Sequence, residues 1–329
     1  MAEAASHLRY DDDDGRGREA ARPTQVPARG WKDVAVRVKS QMKTDDVPLL
    51  AAGVAFFALL ALVPTLAALV SLYGLVADPA EIQRNIEDVL AAAPQEVRDL
   101  VTSQLHALVD SSPSGLKIGA IAGLVVALWS ASSGVKHLIG AINLAYDEEE
   151  TRGFVKLRGL SLIMTVVGIA VMALAVAGLV VLPHALDDQG TVGVARDLLM
   201  VVRWPVFAVL GLLGLALIYR YAPDRDAPRW QWVSPGAVFA VVVWVIASIL
   251  FSLYTANFGQ YNETYGALGA VVVVMLWLFI TAYVVITGAE INAELERQTA
   301  KDTTVGRRRR MGERNAYAAD TLGEAPARR

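Results

Sequence analysis

The chain has 329 residues, 54% of them hydrophobic and 19% charged, with a mean hydropathy of +0.41, which is too apolar for an ordinary water-soluble domain. The formal charge of −3 sums 30 basic and 33 acidic residues that are unevenly spread, so the total says little about partners. The absence of cysteine excludes disulfides, thiolate metal sites and a thiol nucleophile.

Residues 1–30 are polar, with an Asp11–Asp14 run and no hydrophobic period, and are expected to be disordered, with no secretory signal. Residues 31–46 place Trp31, Val34, Val38 and Met42 at helical spacing beside Lys and Arg. That pattern suits either a helix on an anionic leaflet surface or a juxtamembrane extension of the first span. Six apolar stretches follow, at about 48–76, 118–140, 159–183, 198–219, 233–256 and 266–289. Each exceeds the about 20 residues needed to cross about 30 Å of hydrocarbon.

The first stretch carries Pro64, which removes one helical hydrogen bond and opens a kink. After it, residues 80–112 show apolar residues at three-and-four spacing on both sides of Pro94, predicting two short amphipathic helices that pack on the bundle or cover a cavity. The second stretch opens with small residues every fourth position, Gly115, Gly119 and Gly123 among them, a face for close helix packing. Lys136, Asn143 and Tyr146 follow at its far end. Leu160–Leu182 contains no charge at all, and the fourth stretch holds Arg203 near its start, where a long side chain can snorkel.

Between the last two stretches, "YTANFGQYNETYGALG" crowds Asn257, Tyr261, Asn262, Tyr265 and Gly266, with Gly269 close behind. Tyrosines alone would be an interfacial belt; two asparagines among them suggest strain or binding. The sixth stretch ends abruptly in Gly288, Glu290, Asn292, Glu294, Glu296 and Arg297. The simplest reading is a helix leaving the membrane, with Glu294–Arg297 as a surface pair. The functional reading has Glu290, Asn292, Lys136 and Asn143 lining an inner vestibule, with Glu290 paired to Lys136. Residues 298–329, with Arg307–Arg310 in a row, read as a disordered basic tail able to touch anionic headgroups. No folded basic domain accompanies the run, so nucleic acid is not expected.

Counting Lys and Arg orients the spans. Residues 1–46 carry nine, 77–117 three against seven acids, and 144–158 three. Residues 184–197 carry one, 220–232 three, 257–265 none, and 290–329 nine. The alternation predicts both termini in the cytoplasm. Catalytic signatures are missing: there is no GxxxxGK[ST], no HExxH and no CxxC, and the four histidines lie in separate segments. No metal, cofactor or catalytic residue is therefore assigned.

Four blocks carry a resemblance: "DDVPLLAAGVAFFALLALVPTL", "LWSASSGVKHLIGAIN", "YNETYGALGAVVVVMLWLF" and "GAEINAELE". Together, over roughly residues 45–297, they resemble the YihY/virulence factor BrkB family. Pro64, Asn143, Tyr261, Asn262, Tyr265, Gly266, Gly269, Gly288, Glu290 and Asn292 fall on its motif positions. The resemblance implies a six-span bacterial inner-membrane protein. It also brings an old ribonuclease BN label, whose metal chemistry needs an HxHxDH cluster that this chain lacks. The expectation is an all-α membrane protein, a six-transmembrane-helix bundle with two short amphipathic helices outside. Its expected role is non-enzymatic movement of a lipid or similar substrate, with membrane lipids as partners, or else scaffolding without transport.

Overall fold

The computed structural model describes residues 15–74, 115–176, 178, 194–256 and 259–324. Among the described residues seven long or medium helices run α1 (Ala28–Thr44), α2 (Val47–Gly74), α3 (Gly115–Ala145), α4 (Phe154–Val176), α5 (Val194–Tyr221), α6 (Trp230–Ala256) and α7 (Gly259–Glu296). A 3-10 turn at Pro23–Gln25 precedes them and a single-turn α8 (Tyr317–Asp320) follows. Among the described residues the only extended pairing is one antiparallel bridge, Pro228 with Thr304.

The described parts of all six apolar stretches fall on helices. Four of these helices are long and apolar enough to cross a membrane, and a fifth span results if α1 and the first part of α2, which meet at 63°, are taken together. Within α5, Pro205–Tyr221 is a shorter apolar helix. The corner between α1 and α2 is turned by Asp46, whose φ of 46° is left-handed. Pro64 lies inside α2, and next to it the Thr65 hydroxyl donates to Ala61 O at 2.7 Å.

α7 is the hub, packing on α1, α2, α3 and α6; α3 also packs on α2 and α4, and α5 on α6. Where α6 crosses α7, backbone meets backbone. A Cβ on Gly288 would strike Gly236 O and the Tyr219 ring, and one on Gly236 would strike Gly288 O and the Asn292 side chain. The close backbone neighbour of Gly288 is therefore α6. α2 and α3 approach closely at Gly134, where a Cβ would sit 3.2 Å from Ala61. That glycine lies beyond the Gly115, Gly119 and Gly123 stripe of α3. Away from these seams the helices show apolar faces: Ile163, Val166 and Leu174 on α4, and Val242, Ile249 and Leu253 on α6, are exposed. Such continuous apolar surface suits hydrocarbon rather than water.

Three expectations change. First, α7 starts at Gly259, so Tyr261, Asn262 and Tyr265 belong to its opening turns rather than to the connection between the last two stretches. Asn257 and the segment 80–112 lie outside the described residues. Second, residues 15–30 are folded against the end of α7. Third, so are residues 298–324. Ala300 N donates to Arg18 O at 2.8 Å, Gln298 Nε2 to Arg16 O at 2.8 Å, and the Thr299 hydroxyl to Ala20 O at 2.7 Å. Arg314, 4% exposed, donates to Ala319 O at 2.5 Å and Ala300 O at 2.8 Å. These contacts are polar and aperiodic, so no hydropathy pattern announces them.

Candidate functional site

The polar residues gather at one end of the bundle, where the last three turns of α7 are enclosed by α1, α6, the α3–α4 and α5–α6 connections and both terminal segments. Glu290, Asn292 and Glu296 are 0% exposed, and Glu294 is 2% exposed. So much buried polarity is costly unless each group finds partners.

Asn292 finds them on α6. Its Oδ1 accepts from Gly236 N at 2.7 Å and its Nδ2 donates to Val233 O at 3.1 Å, on both sides of Pro235. The Gly236–Gly288 crossing lets the short amide reach the neighbouring backbone, which makes Asn292 a helix–helix clamp. Tyr219 of α5 adds a second clamp, its hydroxyl donating to Val285 O at 2.8 Å.

Glu296 pairs with Arg225 from the α5–α6 connection. Arg225 Nη2 donates to Glu296 Oε2 at 2.8 Å with both side chains fully enclosed, and the Thr303 hydroxyl donates to the same oxygen at 2.5 Å. The Arg225 guanidinium also lies 5.1 Å from the ring of Tyr146, itself wholly buried. Burial works against the Arg225 charge, but Glu296, Tyr146 and Glu148 together hold it protonated. Glu148 stands 4.0 Å from Arg225 Nε, and burial pushes its carboxyl up from 4.5 to about 7 despite an amide from Tyr317.

Asn143 is a structural tie: Nδ2 donates to Glu150 Oε2 at 2.9 Å, and Oδ1 accepts from Asp224 N at 2.8 Å. Arg152 closes that knot, bonding Glu150 at 2.6 Å and Ala222 O at 2.8 Å.

On the α1 side, Arg37 Nε donates to Glu294 Oε2 at 2.5 Å and its Nη2 to Gln298 Oε1 at 2.8 Å. Arg297 Nη1 donates to Glu294 Oε1 at 2.7 Å and lies 3.8 Å from Asp147. The Glu294–Arg297 pair is therefore enclosed, not superficial. Gln41 of α1 donates to Asp147 Oδ1 at 3.3 Å. Burial raises the Asp147 carboxyl, and Arg297 opposes it.

The expected vestibule is not one chamber. Lys136 is exposed beside a separate groove of about 420 Å³ between α2 and α3, near His137, which stacks on Phe57 at 3.4 Å. Glu290 faces Asp45 at the α1–α2 corner instead, and among the described ion pairs none joins it to Lys136. Asp45, Arg37, Arg225 and Glu148 are site residues that the sequence did not mark. A second groove, about 620 Å³, opens between α1, α6 and α7; Val34, Val38, Met42, Phe239, Tyr283 and Ile291 wall it, with Lys39 and Lys43 also lining it.

The Virulence factor BrkB family model matches residues 38–312, which include Glu290, Asn292, Glu296 and Arg225 and most of the groove walls but not Val34 or Arg37. The chain belongs to that family. Among its relatives, Bacillus subtilis (strain 168) ribonuclease-like protein YfkH is 32% identical over 255 residues, covering 75% of this chain and 89% of that one. A UPF0761 membrane protein of Alteromonas mediterranea is 26% identical over 257 residues, covering 77% and 84%. Another, from Tolumonas auensis, is 36% identical over 103 residues, covering 31% and 34%. No solved structure matches the chain. Membership and helix composition together make this a helical membrane protein of the BrkB/UPF0761 type.

Proposed function

We propose that this BrkB-family protein is a non-enzymatic carrier of a lipid or similarly amphipathic molecule. In this reading it spans a bacterial inner membrane six times with both termini in the cytoplasm. The α1/α6/α7 groove carries the reading. Its walls are apolar, it lies beside helices whose outer faces are apolar, and Lys39 and Lys43 supply cations where a headgroup would sit. This reading takes α5, apolar from Pro205 to Tyr221, as the sixth crossing, and the Lys/Arg alternation supports the orientation.

The ribonuclease-like name of the B. subtilis relative has no chemical counterpart in this chain, since the sequence holds no HxHxDH run. A scaffold without transport is the second reading, favoured by the dense side-chain packing around Asn292 and Tyr219. Reconstituting the protein in liposomes and following leaflet exchange of labelled phospholipids separates the two. A carrier speeds exchange over protein-free vesicles, and Ile291→Trp, which fills the groove, slows it. Folded protein that leaves exchange at the protein-free rate refutes the carrier.

A further inference from the structure

Glu290 is the one carboxylate of the α7 end for which the described residues offer no donor. It is 0% exposed and neither oxygen accepts a hydrogen bond from an N–H or hydroxyl group. Asp45 Oδ2 is likewise without a donor. The corner at Asp46 turns the end of α1 toward α7, leaving the Asp45 and Glu290 carboxyls within hydrogen-bonding reach of each other.

The surroundings make two ionised carboxylates there untenable. On α7, Glu294 adds a third negative charge nearby and Asp147, from the α3–α4 connection, a fourth. The guanidiniums near the cluster are Arg37 of α1 and Arg297 beyond α7, and both are already bonded to Glu294 or set against Asp147, while Lys43 of α1 is exposed and lines the adjoining groove. Gln41 of α1 gives an amide to Asp147 as well as reaching Asp45. α3 contributes only the neutral phenol of Tyr146 from its end, and α5 that of Tyr219, which is bonded to Val285 O. The facing part of α2, from Val47 to Val54, contains no ionisable group, and α6 carries only Tyr254, near its far end. Four carboxyls thus face two guanidiniums, and like charges in contact favour retention of a proton. Among the described residues no three His, Asp or Glu side chains are grouped to hold a metal ion, so the ligand these oxygens suit is the smallest cation.

We infer that Asp45 and Glu290 form a proton-binding site, sharing one exchangeable proton across the α1–α7 contact. When that proton leaves, two carboxylates repel across the joint and the α1 corner, the smaller element, moves away from α7. Met42, Lys43, Asp46 and Ile291 of the adjoining groove flank the pair, so proton loss changes the groove wall. The site holds whether or not the groove carries a lipid.

Infrared difference spectroscopy of the full-length protein in nanodiscs, titrated from about pH 5 to about pH 9, tests the site. The Glu148→Gln background removes another carboxyl that burial pushes up, to about 7, beside Arg225. The expected result is one protonated-carboxyl C=O band that persists above neutral pH and disappears in both Glu290→Gln and Asp45→Asn. Either amide mimics the protonated acid, so both variants should remain monodisperse. No such band in the Glu148→Gln protein, or one surviving both substitutions, overturns the assignment. So does a band that sodium, but not choline, displaces, since that would be a metal-cation site. Lipid exchange enters none of these readouts, so failure of the carrier reading would be seen separately.

Discussion

The two halves of α7 live in different surroundings. In the first, Val271, Val272 and Leu276 are exposed; in the second, every residue from Ile286 to Glu296 except Ile291 is buried. A water-soluble helix would hide its valines and show its glutamates. Here hydrocarbon covers the apolar half at no cost, because lipid tails are as apolar as the side chains they touch. The polar half cannot be left in lipid, and protein closes around it instead. Specific tertiary contacts therefore accumulate where the sequence is polar, the reverse of a soluble core.

Substitutions can break that contrast, starting at the crossing. Gly236→Leu forces apart two backbones that have no flexible atoms to yield, and more than about 5 kcal/mol should be lost, read as absence of monodisperse protein after extraction. Arg225→Ala strands Glu296 in a closed site and should cost about 3–5 kcal/mol in denaturant unfolding, with most of it recovered by replacing both partners with Met. If Arg225→Ala unfolds like the parent, the polar end is not the stabilising half.

Glu148 sharpens the comparison through pH. Its carboxyl is raised when folded, so its contribution is complete below about 4.5 and is lost as pH rises through about 7. Glu148→Gln should remove a fall in stability on the order of 3 kcal/mol between those limits, visible as a flatter profile of unfolding midpoint against pH. Asn292→Leu gives up two hydrogen bonds to α6 and should cost about 2 kcal/mol at all pH values. On the lipid side, Val166→Leu should stay within about 0.5 kcal/mol in a bilayer; a larger loss would show that α4 meets protein there.

The helices were legible because apolar runs of this length have few other uses, but the α6–α7 seam was not, since Asn292 read as part of a vestibule with Lys136 and Asn143 and bonds the α6 backbone instead. The polar end was legible only in part. Glu290 stands out along the chain, but its neighbour Asp45 is some 245 positions away, at the end of residues 31–46, which read as a surface or juxtamembrane helix. Lys136 was the nearer guess because opposite charges attract, yet its helix turns it toward the groove beside Phe57. Arg225 and Arg314 are ordinary loop arginines by sequence, and only the closed fold gives each a carboxylate or a set of carbonyls to satisfy.

The segments beside the first and last helices are stitched together: Arg18 Nη2 donates to Gly323 O at 2.7 Å, and Gly323 N to Arg297 O at 2.9 Å. A ribosome delivers Arg18 305 residues before Gly323. The opening segment must therefore wait, unfinished, while every helix between the two is made, and the seal over the buried carboxylates forms only after Gly323 has emerged.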